Sequence, residues 1–164
     1  MAKLWVKFLL LGFIVTIISI IVCVVIWYPI MRDTDAVIDR AQVAASRQDM
    51  VEYMKQLKKN MERYGMTEGH IVLVFKTPIT DMELHYRAVN RILDRLESIK
   101  EIGQDQTAYQ VALDDLRGVI RELPNPASGW LWVKWGWWIL LLNSIPWLLF
   151  AIAAIKADKE YWGS

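Results

Sequence analysis

A chain of 164 residues has room for about one domain, yet 55% of its residues are apolar, more than an ordinary water-soluble domain carries. Nineteen Lys and Arg against eighteen Asp and Glu leave a formal charge of +1, which excludes the basic footprint of a nucleic-acid-binding protein. The single cysteine, Cys23, excludes an internal disulfide and reads as a small buried apolar residue.

The apolar excess lies in two blocks, one near each end. Residues 4–30, LWVKFLLLGFIVTIISIIVCVVIWYPI, hold one charge, Lys7. Roughly 20 apolar residues span a hydrocarbon core, so this block is expected to be a transmembrane helix. Its apolar run exceeds the ~7–15 residues of a signal-peptide core and no small-residue cleavage site follows, which predicts an uncleaved signal anchor behind a short cytoplasmic tail, residues 1–3. Gly12 and Thr16 form a small-xxx-small pair, with Ser19 one turn on, a spacing that permits close helix packing.

Residues 31–123 are charged and helical in pattern and are expected to form a small extramembrane helical domain, a helical hairpin or a bundle of three or four helices. Asp33 or Thr34 can cap a first helix through Val37, Ile38 and Ala41. Residues 46–49 offer a break, after which Met50, Met54, Leu57 and Met61 fall on one face of a helix that ends at Gly65. Ile71, Val72, Leu73, Val74 and Phe75 are β-branched or apolar and predict one short strand. With no second strand signal, it must pack as an extended linker, pair with another copy or add to a partner's sheet edge. Thr80 to Glu83 reads as a capping box that opens a helix through Leu84, Ile92 and Leu96, ending near Gly103. A last helix covers about 105–122, and residues 124–129 form a Pro/Gly linker.

The second block, residues 130–155, is the other expected transmembrane helix, with one charge, Lys134, and a short cytoplasmic tail after it, residues 156–164. Trp130, Trp132, Trp135, Trp137 and Trp138 crowd its start, with Trp27 and Tyr28 at the matching end of the first block. Such rings prefer the bilayer interface, and Lys134 among them can reach the headgroups, so these eight residues are expected to anchor one membrane surface. Asn143, Ser144 and Pro146 interrupt the apolar run near mid-membrane. Pro146 frees the carbonyl of Leu142, which Asn143 or Ser144 can satisfy. The other reading is a polar contact to the first helix or to another subunit.

Chemistry-bearing patterns are sparse. Asp81 and His85 share a helix face, but two ligands make no stable metal site alone. Neither membrane block holds a carboxylate, which argues against a proton relay within one chain. The sequence therefore predicts no enzyme, no cofactor and no metal. It predicts an integral two-pass membrane protein, both termini cytoplasmic and the middle domain extracytoplasmic. The expected role is a non-catalytic accessory or scaffold subunit of a larger membrane complex. Its expected partners are other integral subunits, itself, and the bilayer. The alternative is a sensor-type module whose helical domain binds a ligand and signals through another protein.

Overall fold

The computed structural model describes residues 2–99 and 107–162, with side chains over 6–99 and 107–157. The chain is mainly helical: α1 (Ala2–Asp33), α2 (Asp35–Gln42), α3 (Arg47–Tyr64), a 3-10 turn (Pro78–Thr80), α4 (Met82–Ser98), α5 (Thr107–Arg121), α6 (Ala127–Leu131), a π-helical turn (Trp132–Gly136) and α7 (Trp137–Trp162). The expected ends of the fourth and fifth helices, near Gly103 and residue 105, lie outside the described residues. Two compact units divide the chain, Met1–Ile26 with Lys134–Ser164, and Trp27–Val133.

The first unit is made of the apolar lengths of α1 and α7. Both helices are long and apolar enough to cross a membrane, and very little of either apolar window is buried. At 1.5 Å per residue the 32 residues of α1 extend ~48 Å and the 26 of α7 ~39 Å, against ~30 Å of hydrocarbon. The second apolar block is not one regular helix. Its first residues belong to α6 and the π turn, and α6 begins at Ala127, inside the stretch expected as a linker.

In the second unit, α2 packs on α3, α3 on α4, α4 on α5, and α5 back on α2. Each helix supplies one apolar stripe at helical spacing: Val37, Ile38 and Ala41; Met50, Met54, Leu57 and Met61; Val89, Ile92 and Leu96; Leu113, Leu116 and Ile120. Met66 and Met82 complete a core rich in methionine, whose unbranched side chain fills irregular gaps. The helix ends follow local chemistry. The hydroxyl of Ser46 accepts from the N–H of Asp49 at 3.1 Å and starts α3. Gly65, at φ 68°, stops it, with the N–H of Met66 donating to Met61 and that of Gly65 to Glu62, the double closure that a left-handed residue permits. Two arginines tie chain segments by capping carbonyls: Arg47 donates to Leu96 at 3.0 Å and Arg117 to Ala44 at 2.8 Å.

Two sequence expectations are corrected here. Residues 71–75 form no strand, and the described residues contain none; His70 and Asp81 make one isolated antiparallel bridge. The run has β propensity, but a strand needs a ladder partner, and the chain opposite it folds as the Pro78–Thr80 turn. Thr80 does not cap α4 either. Asp81 does, its carboxylate accepting from the N–H groups of Glu83 at 2.9 Å and Leu84 at 3.4 Å, while the Thr80 hydroxyl is engaged with the backbone of Thr77.

Leu96 and Leu116 have no exposed surface at all. Leu96→Ala or Leu116→Ala is expected to cost about 2–5 kcal/mol of unfolding free energy, the usual range for emptying such a site. Denaturant or thermal unfolding of the detergent-solubilised chain, followed by circular dichroism, measures it.

Candidate functional site

The most elaborate polar cluster lies in the second unit, where α1 ends. α1 and α2 are separated by one residue, Thr34, whose hydroxyl reaches back 2.7 Å to the carbonyl of Ile30 instead of capping α2. The break leaves main-chain groups to be satisfied, and Asn60 of α3 does so, its amide donating to the carbonyl of Asp33 at 2.6 Å. The Asp33 carboxylate accepts from Arg32 Nε at 2.9 Å and from the Tyr64 hydroxyl at 2.9 Å, with Arg63 Nη1 at 3.7 Å. Asp33, Thr34 and Asn60 are the buried polar residues of the chain among those described. Burial alone raises the Asp33 pKa, but hydrogen bonds from Arg32 and Tyr64 and the two arginine charges outweigh it, so the carboxylate is held below its ordinary range.

The same helix end also holds Trp130. The Tyr64 carbonyl accepts from the indole N–H of Trp130 at 3.1 Å. Two further ties join the chain near α1 to the chain near α6. Trp27 Nε1 donates to the Ser128 hydroxyl at 3.2 Å, and the Ala127 N–H donates to the Asp35 carboxylate at 3.2 Å. Burial pushes the Asp35 pKa up, against the hydrogen bonds from Ala127 and Thr34. The cluster is thus a clasp: residues 27–35 and 127–130 are held together through the end of α3. Sequence reading missed it, because Asp33 and Asn60 are 27 positions apart and follow no periodic pattern.

The aromatic anchors divide. Trp130 is only 5% exposed and belongs to the packed interior of its unit, and Trp27 is half-buried against Ser128. Tyr28, Trp132, Trp135, Trp137 and Trp138 are exposed, as is Lys134. Trp132 and Trp135 lie in the π turn, whose extra residue per turn shifts the face on which the following rings emerge.

In the first unit, the helix-contact candidates come together in part. Asn143 Nδ2 donates to the Ser19 hydroxyl across α1 and α7 at 2.9 Å, and lies 2.8 Å from the Ile139 carbonyl of its own helix. Gly12 faces the ring of Trp147, so close that a Cβ would stand 3.3 Å from Cε2. Phe13 meets the same ring edge-on at 5.8 Å. Residue 12 lies opposite 147 and residue 19 opposite 143, an antiparallel register. Thr16 and Ser144 turn inward instead, donating to the carbonyls of Gly12 at 2.8 Å and Leu141 at 3.0 Å. The carbonyl that Pro146 frees, that of Leu142, is therefore not the one that Asn143 or Ser144 satisfies. Pro146 itself is buried.

The Asp81 carboxylate accepts the hydrogen bonds of the α4 cap, and no three metal-ligating side chains gather among the described residues. His85 lines a cleft of about 10 Å³ with Ile38, Met61, Met82, Val89 and Pro126, room for roughly one water molecule. Burial lowers the His85 pKa, opposed by a hydrogen bond to the Ile79 carbonyl and by the charge of Asp81.

No protein-family model, no curated protein and no solved structure matches the chain.

Two outcomes follow from this geometry. In a double-mutant cycle, Asn143→Leu and Ser19→Ala should couple by about 0.6 kcal/mol and at most ~1.7, the range measured for hydrogen bonds between membrane helices, read by unfolding in mixed micelles. For His85, the folded pKa lies below the unfolded 6.5, so the unfolded chain takes up the proton first as pH falls. Its contribution to stability is intact above pH 6.5 and is lost as pH drops from there to the lower folded value. His85→Leu should flatten the melting temperature against pH over that interval.

Proposed function

We propose that this chain is a two-pass integral membrane protein that serves as a non-catalytic accessory or scaffold subunit of a larger membrane complex. Its termini lie in the cytoplasm and residues 31–123 outside it. Lys3, Lys7, Lys156 and Lys159 flank the outer ends of the two apolar segments, and cytoplasmic flanks favour such residues.

The observation that carries the reading is the bareness of α1 and α7. Their apolar windows are almost wholly uncovered, and the contacts between them gather at Gly12, Phe13 and Trp147 and at Ser19 and Asn143. In lipid, helices associate through close packing and polar contacts instead of the hydrophobic effect. A pair whose described apolar windows are almost wholly uncovered leaves most of that surface for lipid or for other helices. The non-catalytic part of the reading is supported by how the reactive side chains are used. Asp33 is saturated by Tyr64 and two arginines, Asp81 caps a helix, and His85 is turned to a backbone carbonyl.

The test is isolation of the tagged chain from its native membrane at native abundance, in mild detergent, with mass spectrometry of the co-purifying proteins. The expected result is a reproducible set of membrane proteins at fixed ratio. A monodisperse chain with nothing else, or only copies of itself, contradicts the proposal.

A further inference from the structure

The loop between α3 and α4 is closed at its base and bare at its tip. At the base, Ile71 N–H donates to the Thr80 carbonyl at 2.9 Å, and Met82 N–H to that of Gly69 at 2.8 Å. Beyond the base, residues 73–79 are all exposed: Val74 by 75%, Phe75 by 84% and Ile79 by 73%. Loop tips normally carry Gly, Asn, Asp or Ser, because a tip in water gains nothing from apolar side chains. This one presents Leu73, Val74, Phe75 and Ile79 around Lys76.

Where the loop is rooted indicates what covers it. The Ile71 carbonyl presses on Gly129, so tightly that a Cβ there would stand 2.5 Å from the oxygen, and only glycine fits. The neighbouring residue, Ser128, accepts the indole N–H of Trp27. Trp27 directly follows Ile26 at the end of one apolar segment, and Gly129 is five positions before Lys134 in the other. The base of the loop is therefore fixed to the residues that flank both apolar segments. Trp27 and Tyr28 are of the kind that sit at headgroup level. Phe75 is four residues beyond Ile71, a reach of up to ~14 Å at ~3.3–3.6 Å per residue, whereas the headgroup layer is ~5–8 Å deep.

We propose that the 73–79 tip is a lipid-inserting finger, in which Phe75, Val74 and Ile79 enter the boundary between headgroups and acyl chains of the leaflet marked by Trp27 and Tyr28, while Lys76 meets lipid phosphate. The inference rests on the reading that α1 and α7 cross the bilayer. A finger of this kind sets the depth and tilt of the clasp at the surface, because it adds a third point of attachment beside the two helix ends.

Spin-label accessibility tests it on the full chain, reconstituted at low density in vesicles of phosphatidylcholine and phosphatidylglycerol. The lone cysteine is first removed by Cys23→Ser. Labels are then placed singly by Phe75→Cys, Ile79→Cys, Val43→Cys and Ile17→Cys, where Val43, 80% exposed in the same unit, reports water, and Ile17 in α1 reports lipid. The proposal expects collision with oxygen relative to a water-soluble nickel chelate to be several-fold higher at positions 75 and 79 than at 43. Since Phe75→Cys removes the leading ring, position 79 carries the result if the two disagree. Labels at 75 and 79 as open to nickel as the one at 43 overturn the finger while a lipid-exposed label at 17 preserves the spanning reading. A nickel-accessible label at 17 overturns both. Labels at 75 and 79 shielded from oxygen and nickel alike mean that protein covers the tip, which also overturns it.

Discussion

A single carbonyl, that of Asp33, sets the terms for the rest of the second unit. The helix that carries the N-terminal apolar run has to stop somewhere, and it stops one residue before another helix begins. A buried break of this sort leaves main-chain groups that cost about 1–3 kcal/mol each if nothing receives them. Asn60 supplies the donor at 2.6 Å, and to do so the end of α3 must lie against the end of α1. Once it lies there, Tyr64 reaches the Asp33 carboxylate with its hydroxyl and Trp130 with its carbonyl. Asp35 and Trp27 complete the connection to Ala127 and Ser128. Among the described residues no buried side-chain nitrogen or oxygen is left without a partner. The clasp is polar, fully satisfied and made by groups from three separate stretches of the chain, the conditions under which buried polar networks specify one arrangement.

Charge contributes differently inside and outside this cluster. Hydrogen bonds from Arg32 and Tyr64, with the charges of Arg32 and Arg63, hold the Asp33 carboxyl below its ordinary range against the opposing effect of burial. The surface pairs, Lys55 with Glu97 and Arg95 with Asp115, are more than half exposed on both sides, and pairs of that kind add little in water. The four-helix core relies instead on its apolar stripes, and two arginines hold carbonyls at its corners, Arg47 that of Leu96 and Arg117 that of Ala44, with Arg117 also paired to Asp114.

Much of this was legible in the sequence because it repeats with a period. The apolar runs of α1 and α7 announce themselves by length and lack of charge, the stripes of α2 to α5 by helical spacing, and Ser46 and Gly65 mark the ends of α3 by their own conformational chemistry. Pairing the Gly12 to Ser19 face with the Asn143 to Pro146 region was also readable, since polar and small residues in an apolar helix have few other uses. The partners inside that region were not, because Thr16 and Ser144 each had a carbonyl of their own helix within reach. The clasp was invisible because its groups come from distant positions, and an Asn in a charged helix looks like surface. The strand expected at residues 71–75 failed for a complementary reason: propensity is local, whereas a strand exists only with a neighbour, and among the described residues the one bridge beside it is that of His70 and Asp81. Trp130 was read as an interface ring from its company, yet its N–H had a buried carbonyl to find.

The proposed function has α1 and α7 cross the membrane with their outward faces covered by other membrane proteins. Photo-crosslinking within intact native membranes tests it most directly, with a photoreactive residue placed at each α1 position from 13 to 25 in turn. Ile17, Ile21 and Val24 lie on one outward face, each more than half exposed, while Gly12 and Ser19 face α7. The account predicts discrete adducts to one or a few proteins, strong at 17, 21 and 24 and weak between them, with helical period. Adducts to lipid alone at every position around the helix would contradict it.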